Sequence, residues 1–172
     1  MQSRLPKFLF LVLAAYAAIH FSSYYSQLPG VVASHFDAHG AANGWQTKSV
    51  FLGFFVGAVA LASVLAFGVP YIISRTPTKL INLPYKDYWL APERRMSTIG
   101  FLGRYFAWFG CAALAVVSSS FDYAIRQNLH PVAHLDPPAI VYVLAGFLVF
   151  TALWLIRLLT YFTSHPGSES PK

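Results

Sequence analysis

A chain of 172 residues that is 56% hydrophobic and only 10% charged cannot build a water-facing shell, because soluble domains carry about 25% charged residues. With a mean hydropathy of +0.53 it reads as a single membrane domain, expected over residues 1–163. The net charge of +6 is scattered, which excludes a nucleic-acid patch and points to orientation in a bilayer and attraction of anionic lipid.

A bilayer core about 30 Å thick needs roughly 20 apolar residues in a helix. The first such run is Pro6 to Tyr25, interrupted after Lys7 only by His20. Arg4, Lys7 and the small triplet Ala15-Tyr16-Ala17 also fit a signal peptide. The apolar run continues well past that triplet, so a retained span is expected. An ionisable side chain inside the bilayer is a functional candidate by default. The alternative for His20 is a neutral imidazole bonded to a neighbouring helix or to a loop group above it.

Pro29 ends the first helix, since proline lacks a donor and restricts its neighbour. Gly40 and Asn43-Gly44 are turn residues, and Trp45 is an interface anchor. Residues 30–49 are therefore expected as a compact loop. The second span is Val50 to Ile73, with Thr47 or Ser49 as its cap. Pro70 lies near its end, where a lost donor costs least. Pro84 and Pro92 then break any long helix. Lys86, Asp87, Tyr88, Trp89, Glu93, Arg94 and Arg95 suit a segment lying at the headgroups. Their functional reading is a docking surface for a cytoplasmic partner or anionic lipid.

Pro92-Glu93 can start the helix that leads into the third span, Ile99 to Phe121, with Arg104 snorkelling to the interface. Asp136-Pro137-Pro138 is a suitable entry to the fourth span, Pro138 to Phe162. The Ser-, Pro- and Gly-rich tail 164–172 is expected to be disordered. Cys111 stands alone in an apolar run, which excludes an intrachain disulfide and makes it packing material.

Lysine and arginine fall unevenly about these spans. Arg4, Lys7, Arg75, Lys79, Lys86, Arg94, Arg95, Arg104, Arg157 and Lys172 lie on one side, and only Lys48 and Arg126 on the other. The positive-inside rule then places both termini in the cytoplasm and the two short loops outside. The expected fold class is an all-α membrane protein with four transmembrane helices and a compact outer loop between helices 1 and 2.

That loop also carries a pattern. Leu28-Pro29, His35-Phe36-Asp37, Gly40, Gly44-Trp45 and Lys48 resemble the signature of the bacterial membrane family called domain of unknown function 1648. The domain also occurs at the N-terminus of immunity proteins for the sporulation-delaying toxin. The resemblance covers about residues 8–75, and Ala41-Ala42-Asn43 stands where members commonly have a Pro-Asp pair before the aromatic. The stretch from Asn82 to Arg95 resembles the cytoplasmic segment of short members. The expectation is accordingly a chain without the further C-terminal membrane domain of those immunity proteins. A multi-pass protein of the bacterial cytoplasmic (inner) membrane is implied, and no general activity comes with the family.

The outer loops carry groups that could ligate a metal. His35 and His39 share a face if helical, and His35 and Asp37 if extended. His130, His134 and Asp136 lie in the other outer loop. Imidazole with carboxylate suits a divalent metal such as zinc, which needs three or four ligands. The competing reading gives Asp37 a partner in Lys48 or a turn to cap, and makes His35 a prop for the loop. A metalloprotease helix and a phosphate-binding glycine loop are both missing from the sequence.

The leading expectation is a non-enzymatic binding, sensing or immunity-type protein. Its ligand-binding or loop-defining residues would be His35, Asp37, His39, Gly40, Trp45, Lys48 and His20. The alternatives are an accessory subunit of a membrane complex, or a metal-dependent membrane protein using the outer His and Asp. No cofactor is required, and expected partners are the lipid bilayer and another membrane protein or a second copy. Gly53-x3-Gly57 supplies the small-x3-small spacing for helix association.

Overall fold

The computed structural model describes residues 4–37, 39–130 and 139–164. Four helices are long and apolar enough to cross a membrane: Leu5–Tyr25, Lys48–Arg75, Pro92–Leu129 and Ala139–Thr163. The protein is thus built as a multi-pass membrane protein. Three spans keep close to the lengths that hydropathy gives them. The third does not.

Helix α1 (Leu5–Tyr25) begins with proline in its first turn, where the missing donor is harmless. Two strands follow, β1 (Val31–Phe36) and β2 (Ala42–Thr47), paired antiparallel. The loop expected only as compact is therefore a β-hairpin, and the fold is not purely helical. The second span starts as α2 (Lys48–Ser63), with Thr47 Oγ1 accepting the Val50 N–H as its cap. It continues through a π-helical turn (Val64–Gly68) into α3 (Val69–Arg75).

Pro70 explains that turn. A proline inside a helix has no N–H and its ring collides with the carbonyl four residues back. Widening the helix relieves this, and the Val69 N–H reaches the Val64 carbonyl five residues earlier. Pro70 thus lies inside a continuous span rather than at its frayed end.

After a short 3-10 turn (Thr78–Leu80) and the single turn α4 (Lys86–Trp89), helix α5 runs from Pro92 to Leu129. Its 38 residues extend about 57 Å, well beyond the expected Ile99–Phe121. Proline and Glu93 start it as foreseen. Its far end continues because Asp122 and Arg126 pair along the helix, where hydropathy alone sees charges and stops. Helix α6 (Ala139–Thr163) closes the described chain. The proposed cap Asp136-Pro137-Pro138 and the tail from residue 165 lie outside the described residues.

Helices α1, α2–α3 and α5 share the core. At the hairpin end Phe21 stacks flat on Phe55 with centroids 4.1 Å apart, and Phe121 packs edge-on to Phe55 at 5.2 Å. Leu28 and the fully buried Val32 carry the hairpin into this cluster. A second cluster joins Phe10, Ala62, Ala66, Cys111 and Leu114. The four spans form a three-helix core with α6 leaning on α5. Phe101 stacks on Tyr161 at 4.2 Å, and Tyr105 on Trp154 at 4.9 Å. None of the most apolar window of α6 is buried, as suits a helix solvated by lipid.

The three core helices pack tightly at Gly110. A Cβ placed there would lie 2.5 Å from the Ala66 Cβ and 3.1 Å from the Phe10 ring. Gly110→Ala is expected to cost about 1–3 kcal/mol through overpacking, seen as a lower thermal midpoint in detergent. Gly103→Ala on the same helix meets open space and should hold or raise that midpoint.

Candidate functional site

Each residue of the loop pattern has a definite place. Strand pairing sets Val31 opposite Thr47, Ala33 opposite Trp45, His35 opposite Gly44 and Phe36 opposite Ala42, with irregularities on either side of His35. Asn43-Gly44 is therefore not the turn. The reversal is closed by the Asp37 N–H donating to the Ala41 carbonyl at 2.9 Å. Gly40 takes the left-handed backbone that this reversal demands, with φ of 81°. Gly44 has a different reason to be glycine: a Cβ there would sit 2.9 Å from the His35 Cβ.

Asp37 holds the turn from within. Its Oδ1 accepts the N–H of His39 at 2.8 Å and of Ala41 at 3.0 Å. It does not reach Lys48. Those bonds, that of Ala41 first, hold the Asp37 carboxyl below the usual carboxylate range. His35 is exposed, with Nδ1 against the Ser34 hydroxyl at 3.1 Å, and His39 is exposed beside the turn. Phe36 packs edge-on to Tyr123 of α5 at 5.2 Å.

Lys48 works at the base of the hairpin. Its Nζ donates to the carbonyls of Ser26 at 3.3 Å and Leu28 at 3.1 Å, and lies 4.6 Å from the centre of the Tyr25 ring. Carbonyls just past a helix C-terminus have no helical donor, and this ammonium supplies one. Trp45 stays outside, 60% exposed, as does Val31 at 60%.

The hairpin is fastened to α5 by a side chain that the sequence pattern does not flag. Asn128 accepts the Ala33 N–H at 2.8 Å and returns its own Nδ2–H to the Ala33 carbonyl at 2.8 Å. Ala33 is buried, so these backbone groups depend on Asn128. Nearly two helical turns away, His20 of α1 donates from Nε2 to Asp122 Oδ1 at 2.8 Å, and Arg126 donates to Asp122 Oδ2 at 2.8 Å. Tyr16 stacks on the His20 ring and Tyr24 meets it edge-on. The intramembrane histidine thus has a partner on the neighbouring helix. The Asp122/Arg126 spacing of four was the available signal for half of this network.

Among the described residues, no serine or cysteine hydrogen-bonds to the His20 ring; the Ser23 hydroxyl donates to the His20 backbone carbonyl. Nor does any group of three His, Cys, Asp or Glu among them lie close enough to hold a metal ion. His130 is exposed and ends α5. His134 and Asp136 lie outside the described residues.

The segment after α3 is also tied together. Arg95 donates to the Thr78 hydroxyl at 2.8 Å and to the carbonyls of Ser74 and Thr76 at 3.2 and 3.0 Å. The Trp89 indole donates to the Phe162 carbonyl at 3.2 Å, and the Trp89 carbonyl accepts from Thr98. Arg94 lies 4.0 Å over the Tyr88 ring and 3.4 Å from Glu93. Asp87 is exposed and Lys86 half-buried. Tyr85, at φ of 49°, makes the reversal into α4.

Residues 9–61 match the family DUF1648, a domain of unknown function. The match spans α1, the hairpin and most of α2. No curated protein and no solved structure matches the chain.

Two consequences can be measured. Asn128→Ala leaves both Ala33 backbone groups unpaired and is expected to cost about 1–3 kcal/mol. Hydrogen exchange should accelerate in β1 and β2 while the core of α1 stays protected. Asp37 gives a pH dependence of known sign. A depressed folded-state value means its contribution is complete above about pH 4 and fades as pH falls through the lower folded value. Exchange of the His39 and Ala41 amides, corrected for intrinsic rates, should therefore quicken at acid pH. In Asp37→Ala it should be fast throughout.

Proposed function

We propose that this is a non-enzymatic protein of the bacterial cytoplasmic membrane that presents its hairpin outside as a fixed recognition surface. Both termini lie in the cytoplasm in this reading, supported by the ten basic residues on that side against two on the other. The partner is an extracytoplasmic peptide or protein, as for a sensing or immunity-type protein. One observation carries the reading. Asp37, Lys48 and Asn128 are all spent on seating the hairpin, and the hairpin they seat exposes Val31, Trp45 and His35.

A surface held this way loses little freedom on binding, and a rigid exposed tryptophan is a common anchor at interfaces. The family match supports the same region, since residues 9–61 contain the whole hairpin.

The test uses the buried Cys111 as a silent background. In intact cells a membrane-impermeant maleimide should label Asn43→Cys and leave Lys79→Cys untouched until lysis. A photo-crosslinking side chain placed at Trp45 should give a discrete adduct that His35→Ala weakens while the thermal midpoint is unchanged. Labelling of Lys79→Cys from outside overturns the orientation. Absence of adducts from positions 31, 35 and 45 alike overturns the recognition reading.

A further inference from the structure

The end of the molecule opposite the hairpin holds a cleft of about 1070 Å³ between the start of α1, the π-turn with α3, and the first turns of α5. Arg4 and Lys7 line it from α1, and Arg104 faces them from α5. Ser74 adds a hydroxyl at the rim. Phe67, Pro70 and Ile99 make an apolar floor. No acidic side chain among the described residues lines it.

The chain uses most of its other cations internally. Lys48 caps α1, Arg95 ties three acceptors, Arg126 pairs with Asp122, and Arg75 and Arg94 lie over tyrosine rings. The side chains of Arg4, Lys7 and Arg104 make no hydrogen bond or ion pair with any described residue. Lys79, Lys86 and Arg157 are similarly unpaired but do not line the cleft. Three cations turned on one cavity repel one another unless an anion stands between them.

We propose that this cleft binds the phosphodiester headgroup of an anionic phospholipid, with the upper part of an acyl chain on its apolar floor. Three features favour a lipid over free phosphate. Arg4 stands at the very start of α1, the depth at which headgroups lie beside a spanning helix. The volume is far larger than a phosphate requires and falls at the upper end for small-molecule pockets. The floor of phenylalanine, proline and isoleucine offers nothing to a hydrated ion but suits an acyl chain. Basic pockets between membrane helices hold such headgroups by charge and hydrogen bonds together.

The experiment measures retention of phosphatidylglycerol by the full chain in phosphatidylcholine micelles, read by native mass spectrometry. The wild-type chain should retain one phosphatidylglycerol per protein. Lys7→Gln with Arg104→Gln should weaken apparent affinity about 30-fold, at about 1 kcal/mol for each cation. The charge-matched control Lys79→Gln with Lys86→Gln should leave it unchanged. A second variant avoids any question of folding. Gly103→Leu keeps every charge, projects into open space beside the cleft, and should also weaken retention.

Equal losses in the cleft and control pairs would show diffuse surface charge and overturn the site. Undiminished retention in both cleft variants would do the same. Displacement of the lipid by millimolar inorganic phosphate would overturn the lipid in favour of a phosphate-ion site.

Discussion

Where the chain leaves a helix, its last carbonyls lose their helical donors, and those that the fold covers must be met by side chains or a neighbouring strand. The exit from α1 is where that demand is sharpest. The helix ends at Tyr25, the chain turns at Leu28 and Pro29, and a strand must start against the bundle. The carbonyls of Ser26 and Leu28 are met by the Lys48 ammonium, which comes from the start of the next span. The hairpin then satisfies most of its own backbone, and Asn128 from α5 meets the two groups of buried Ala33. Local turn chemistry, a cation from α2 and an amide from α5 thus seat one small sheet.

Five residues of the loop pattern take part in this seating. Leu28 fills the core, Asp37 and Gly40 build the turn, Gly44 clears space for His35, and Lys48 closes the base. The same logic governs the seam between α1 and α5. His20, Asp122 and Arg126 satisfy one another across two helices. Partly buried ion pairs cost desolvation and return little net stability. Their geometry is specific, however, and it fixes which face of α1 meets α5.

The spans were legible because hydropathy needs no knowledge of packing. Pro6–Tyr25 and Pro138–Phe162 differ from the helices by a residue at most ends. The hairpin was not legible for two reasons. Asn43-Gly44 is a strong turn signal on local grounds, and it lost to the reversal that Asp37 and Gly40 make just before it. Val31–Phe36 lacks clean alternation because its two buried residues, Val32 and Ala33, are consecutive, next to a register irregularity. The length of α5 was masked by its charges. Asn128 was silent altogether, since an asparagine that bonds backbone ninety-five residues away leaves no spacing to read.

The two ends of the bundle differ on either side of the tight packing at Gly110, where Ala66 and Phe10 lie against α5. Toward the hairpin the core is filled by the rings of Phe21, Phe51, Phe55 and Phe121. Toward the start of α1, the facing turns of α5 carry Gly100 and Gly103, which fill nothing, and Arg104, whose charge resists burial. One end therefore packs shut and becomes a platform, and the other stays open as a cleft. Side-chain volume along α5, large at residue 121 and absent at residues 100 and 103, decides which end does which.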